Sequence, residues 1–255
     1  MTSRVKPLPV LLLPGLDGST YLFERFLGAA TGALDLRRVP YPQDRFLGYA
    51  ELETLVRSKL PRGEPFAILG ESFGGPLALR VASTKPEGLV GVVLAATFHR
   101  RPANALIARA APLGPAFFRL PLPPHVVRLL LAGRDASEDL VEEVREAVRH
   151  VPAKVMAARA REALAVDASE ALRKCPVPLL FLGGKKDRLL RSTLPSEIRA
   201  LQPRVEVRML DTPHLVLQRR PEEAMAFVEE FLLRCSAPLR GAQEPSTEPV
   251  RAART

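Results

Sequence analysis

Six short strand-like runs, each followed by a longer stretch, constrain the fold of this chain more than any other feature. They are Leu8–Leu13, Leu34–Val39, Phe66–Leu69, Leu89–Ala95, Pro178–Leu182 and Val205–Leu210. Amphipathic segments follow or separate them at Thr20–Ala30, Tyr49–Leu60, Gly74–Thr84, Leu194–Leu201 and Glu222–Leu233. Runs such as LVGVVLA are apolar at every position, so both faces of such a strand need cover. Strands joined through helices pair side by side in parallel, because a parallel connection needs a crossover of a dozen or more residues. The pattern predicts an α/β fold, a mostly parallel sheet of about six strands with helices on both faces.

One interval breaks the alternation. Phe98–Glu170 has no strand-like run and is rich in Ala, Leu, Arg and Pro. From Ser137 onward, Leu140, Val141, Val144, Ala147, Val148 and Val151 recur at helical spacing. The segments ANALIARAA and HVVRLLLA read as further short helices between proline-rich links. The expected organisation is a core of residues 1–97 and 171–235, a helical insertion over 98–170, and a disordered tail over 236–255.

The most informative stretch is FAILGESFGGPLALRVAS, Phe66–Ser83. A serine stands between glycines where an apolar strand gives way at once to a helix. Gly70–Gly74 fits G-x-S-x-G, the turn that lifts a nucleophilic hydroxyl above a sheet edge. Side chains two residues either side would collide in that turn, and glycine removes them. The helix beginning there aims free N–H groups, Phe73's first, at charge developing on an attacked carbonyl. A plain helix cap is the competing reading of Ser72.

A serine nucleophile needs a base, and the base needs an orienting acid. Of four histidines, His99 and His150 lie in Arg-rich surroundings expected to be exposed, and His125 opens a helix after LPLPP. His214 follows the last strand, at the same predicted sheet edge as Ser72, where groups that act on ligands gather in parallel sheets. Asp187, in GGKKD after the fifth strand, shares that edge; Asp211 is its competitor. The loop after the first strand, LPGLDGS, supplies a second oxyanion donor: Pro14 has no N–H, and Leu16 does. Asp17 is expected to turn away and bond backbone amides at the next helix.

With LPGLDGS, GESFGG, GGKKD and PHLVLQRRPEE in this order, the sequence resembles the α/β-hydrolase superfamily over roughly Leu8–Arg234. The resemblance implies a nucleophile–acid–histidine order Ser72, Asp187, His214, with oxyanion N–H groups from Leu16 and Phe73. It implies a lid where the helical insertion stands. The chain begins almost at that fold's third strand, which implies a sheet without the two antiparallel N-terminal strands. It also departs from the pattern: Pro14-Gly15 replaces His-Gly, Glu71 stands where many relatives carry His, Pro213 precedes the histidine, and Gln218 stands where Glu is frequent.

The expected activity is hydrolysis of carboxylic esters or thioesters through an acyl-enzyme, with no metal or organic cofactor. Acyl transfer to another acceptor, or a silent binding protein on the same fold, are the alternatives. Phe117, Phe118, Leu120, Val126 and Leu130 of the insertion are expected to line a pocket for an apolar acyl or alcohol group, or else to pack on one another. Net charge is +9, yet basic residues are dispersed and there is no Trp, which argues against nucleic acid as a partner. Two cysteines, Cys175 and Cys235, make no disulfide framework. No apolar stretch is long enough to span a membrane, and the expected location is cytoplasmic.

Overall fold

A computed structural model of the chain describes residues 6–101 and 118–241. Its centre is a six-stranded sheet, every pair parallel, in the order β2-β1-β3-β4-β5-β6. The strands are β1 Leu8–Leu13, β2 Leu34–Arg38, β3 Phe66–Glu71, β4 Leu89–Ala95, β5 Leu179–Gly184 and β6 Glu206–Leu210. Burial follows position in the sheet. The four inner strands are buried at every residue, whereas the edge strands LDLRR and EVRML keep charged, half-buried positions. Charges on the edges discourage a further strand from pairing there.

Helices cover both faces. On one side lie α2 (Tyr49–Arg57), α3 (Gly74–Ser83), a short α7 (Ser169–Arg173) and α8 (Leu194–Leu201). They close a core around Leu52, Phe73, Leu77, Leu172 and Ile198. On the other, α1 (Glu24–Gly28) and the last helix, α10 (Pro221–Gly241), pack Phe26, Val228 and Leu232 on β1 and β4. α10 runs to Gly241, past residue 235, where the sequence reading begins its tail. Ser236 is buried and donates its hydroxyl to the Leu233 carbonyl, so the chain is still tied to the core there. Residues 242–255 of that expected tail lie outside the described residues.

Between β4 and β5 the described chain is helical: α4 (Pro124–Val127) running into a π-helical turn Arg128–Ala132, then α5 (Glu138–Arg149) and α6 (Ala153–Ala165). Ser137 caps α5 by accepting from the Leu140 N–H at 3.3 Å. The buried face of α5, Leu140, Val141 and Val144, packs with Val127 and with Leu215 of the short helix α9 (Val216–Arg219) and its approach. The segment ANALIARAA and Phe117 lie outside the described residues. Among those that are described, no helix is long and apolar enough to cross a membrane.

Strand order decides where a site can form. From β1 the chain passes to β2 on one side, then returns across β1 to β3 on the other. Connections leave the carboxyl ends of β1 and β3 in opposite directions, opening a crevice between them. Leu13 pairs with Gly70 at that end, so the loops starting at Pro14 and Ser72 border one cleft.

Candidate functional site

Ser72 sits at the carboxyl end of β3 with φ of 49°, in the left-handed region that non-glycine residues avoid. Its backbone is fixed from several sides. The N–H donates to the Ala95 carbonyl at 3.0 Å; the carbonyl accepts from the Gly75 N–H at 3.1 Å and from the Thr97 hydroxyl. Glycine flanks it for a steric reason. A Cβ on Gly70 would stand 2.5 Å from the Gly74 carbonyl oxygen, and one on Gly74 would run into the carbonyls of Leu13 and Pro14.

His214, in the loop after β6, presents Nε2 at 3.2 Å from Ser72 Oγ and Nδ1 at 2.7 Å from Asp187 Oδ2. An ionised carboxylate can only accept, so Nδ1 carries the proton and Nε2 accepts from the serine hydroxyl. Asp187, in the loop after β5, is itself held: Oδ1 accepts the Leu189 and Leu190 N–H groups at 2.8 and 3.0 Å. Burial penalises the charged form of both side chains. The mutual attraction of Asp187 and His214 outweighs it, leaving the carboxyl below and the imidazole above their ordinary values. Glu71 adds to the upward pull on His214.

Asp211 is an exposed residue paired with Lys186 at 2.8 Å and takes no part in this chain of bonds. His150 is exposed, as expected, and His125 is exposed in the first turn of α4. His99 is not. It is buried, with Nε2 3.9 Å from Glu197, because the chain turns inward after β4 and its carbonyl bonds the Ala168 N–H at 2.7 Å.

The loop after β1 reaches the serine: a Cβ on Gly15 would lie 3.8 Å from Ser72 Cβ. Among the described residues, no acceptor takes the backbone N–H of Leu16 or of Phe73. The Phe73 ring stacks on Tyr49 at 4.6 Å and meets Tyr41 edge-on at 6.1 Å. Those two phenols donate to the carbonyls of Phe73 (3.0 Å, from Tyr49) and Pro14 (3.2 Å, from Tyr41). Asp17 turns to Ser19, accepting its N–H at 2.9 Å and its hydroxyl. Burial nevertheless pushes its carboxyl up, against those bonds and the nearby Arg159 charge.

A largely apolar cavity of about 400 Å³ opens onto Ser72 and His214, within the range of roughly 300–1,000 Å³ usual for small-molecule sites. Phe118, Leu120 and Val126 line it, with Leu120 exposed at 71 %. Leu130 does not; Leu131 does. Arg128–Ala132 form a π-helical turn, in which hydrogen bonds span five residues, and Val126 and Leu131, five apart, both line the cavity.

The sequence pattern does not reveal Arg159, nor the pairing of Glu71 with Gln218. Arg159 of α6 is 1 % exposed, donating to the carbonyls of Leu16, Asp17 and Pro42. Its spacing from Val155, Met156 and Ala163 on the buried stripe of its helix is the signal that could have found it. Glu71 and Gln218, both departures from the family pattern, meet: Gln218 Nε2 donates to Glu71 Oε1 at 2.9 Å and to the Leu22 carbonyl at 3.1 Å.

Burial pushes the Glu71 carboxyl up to about 7, against the Gln218 bond and the His214 charge, while Asp17 pushes the same way as burial. Between the ordinary value of 4.5 and about 7, the unfolded chain releases a proton that the folded chain keeps. Stability therefore falls as pH rises through that window, by on the order of 3 kcal/mol. Glu71→Gln is expected to gain on the wild type in urea midpoint as pH goes from 5 to 8. A difference that does not change with pH would refute it.

The model of the Alpha/beta hydrolase family matches residues 10–226. No curated protein matches the chain significantly. Among solved structures, a lipase-esterase related protein from Clostridium acetobutylicum superposes with a TM-score of 0.73 at 13 % identity, covering 90 % of this chain and 96 % of its own. Carboxylesterase CesB from Bacillus subtilis gives 0.69 at 15 % identity, over 90 % and 85 %. A bromoperoxidase from Bacillus anthracis gives 0.71 at 19 %, over 89 % and 92 %. Such identities establish the fold, and fold alone does not choose a reaction. With the parallel six-stranded sheet, the glycine-flanked serine on its crevice and a family match spanning most of its length, the chain belongs to the alpha/beta hydrolase family.

Proposed function

We propose that the protein hydrolyses carboxylic esters or thioesters of apolar acyl groups through an acyl-enzyme on Ser72. The observation that carries this reading is His214 bridging Ser72 and Asp187 at the floor of an apolar cavity. Ser72 Oγ attacks the acyl carbonyl while His214 Nε2 takes its proton. The leaving alcohol or thiol departs with that proton, and water, activated by the same imidazole, then releases the acid. Asp187 holds the tautomer and stabilises the imidazolium. The N–H groups of Leu16 and Phe73 receive the oxyanion, each worth about 3–4 kcal/mol at such sites.

The imidazole must be neutral to act, and its upward shift puts the acid limb of the rate profile above pH 6.5. Phe118 and Leu120 form the acyl wall in this reading. A fluorophosphonate probe together with a chain-length series of p-nitrophenyl esters and acyl-CoA thioesters tests it. Labelling should fall on Ser72. Each methylene that enters the cavity should raise kcat/KM about fourfold, from about 0.8 kcal/mol of burial, until the space is filled. An unlabelled protein that turns over no member of either series would end the proposal.

A further inference from the structure

A fully buried arginine without a hydrogen-bonded carboxylate is costly unless its donors are well used. Arg159 has no such carboxylate partner among the described residues; its two terminal nitrogens go to main-chain carbonyls instead, while its buried Nε makes no hydrogen bond. One guanidinium nitrogen serves Leu16 at 3.1 Å and Asp17 at 2.6 Å, and the other reaches Pro42 at 2.7 Å. The group also lies 5.8 Å over the Tyr41 ring, whose hydroxyl bonds the Pro14 carbonyl. Gly18, with φ of 69°, packs so closely beneath the guanidinium that any Cβ would overlap it.

These contacts complete a set. The Pro14 carbonyl is held by Tyr41, that of Gly15 by the Gly18 N–H at 3.0 Å, and those of Leu16 and Asp17 by Arg159. Every carbonyl from Pro14 to Asp17 thus has a donor: the peptide carrying the Leu16 N–H is held at its Gly15 carbonyl by the Gly18 N–H, and Arg159 fixes the Asp17–Gly18 peptide that supplies that N–H. A peptide plane held at its carbonyl cannot rotate its N–H. The helix bearing Arg159 is anchored independently, since Glu162 Oε1 accepts the Tyr49 N–H at 3.0 Å at the start of α2.

We propose that Arg159 is a positioning residue for the oxyanion loop: from the helical insertion it locks the peptides around Leu16 so that the Leu16 N–H faces the attacked carbonyl. The proposal rests on the hydrolase reading above. It makes α6 a fixed part of the catalytic apparatus and not a moving lid. An ammonium on a flexible stem lacks the planar fork whose separate nitrogens reach the two loops here, so lysine is a poorer substitute.

The test compares wild type, Arg159→Met and Arg159→Lys, each normalised to sites titrated with the fluorophosphonate. For Arg159→Met, kcat on a mid-chain p-nitrophenyl ester should fall about 10- to 100-fold with KM little changed. That is less than the roughly 10²–10³-fold cost of deleting a donor outright. Inhibition by an alkyl trifluoromethyl ketone, which forms an oxyanion on the serine, should weaken by the same factor. Arg159→Lys should lie between the two. A wild type that is neither labelled nor active brings down the hydrolase reading and this proposal with it. A labelled, active wild type matched by Arg159→Met in kcat per site and in ketone affinity overturns the positioning role alone, whatever happens to the melting temperature. Should Arg159→Met fail to fold, Arg159→Lys is read by the same two quantities, and wild-type values of both overturn the role.

Discussion

Ser72→Ala is expected to lower ester turnover by about 10⁶-fold, of order 8 kcal/mol of barrier, and to abolish fluorophosphonate labelling while the protein stays folded. The size follows from what is lost: without Oγ no acyl-enzyme can form, and what remains is water in a cavity with oxyanion donors. Structural neutrality follows from the contacts. Among the described residues, the only hydrogen bond that Ser72 Oγ makes is the one to His214, whereas the strained turn is held by backbone bonds to Ala95 and Gly75 and by the Thr97 hydroxyl. Alanine keeps those and pays the same strain at φ of 49°. Melting temperatures of the two proteins should agree within a few degrees, and substrate should still bind the variant. Residual turnover above a thousandth of wild type, with the fold intact, would mean that another group carries the reaction.

The parts of this site legible in the sequence are those fixed by local rules. Gly70 and Gly74 flank a serine because a turn from strand to helix leaves no room for Cβ, and that requirement is written in five consecutive letters. Asp187 and His214 are legible because each follows a strand whose end is readable, and parallel strands put all such ends on one edge. For Arg159 the local pattern gives only a place on the buried stripe of α6 and not what it bonds, because its partners are more than a hundred positions away. Glu71 and Gln218 were noticed singly, as departures, but their pairing depends on how α9 docks against β3. Leu131, not the expected Leu130, lines the cavity because one π-helical turn shifts the phase, and a hydrophobic pattern of LLLA carries no mark of it. The end of α10 was placed early for a related reason. Apolar content fades and Pro238 follows, yet a helix already anchored along its length continues to Gly241.

Asp187→Asn should cost about 10⁴-fold in kcat at neutral pH, about 5 kcal/mol, and the surroundings of Asp187 dictate why. Oδ1 accepts two backbone N–H groups, from Leu189 and Leu190, and an asparagine will keep its carbonyl oxygen there, since its amide nitrogen cannot accept. The NH₂ is then the group turned toward His214 at the position of Oδ2. Facing a donor, Nδ1 must give up its proton, and the imidazole holds it on Nε2, pointing at Ser72. That tautomer cannot take the serine proton. Replacing the charge also removes the attraction that raises His214, so the remaining activity should show its acid limb at lower pH than the wild type. Asp211→Asn is the control: its carboxylate pairs with Lys186 at the surface, and the variant should keep kcat within about twofold. Profiles of kcat against pH for the three proteins decide the matter. A loss of less than tenfold in Asp187→Asn, or a large loss in Asp211→Asn, would move the orienting acid away from the loop after β5.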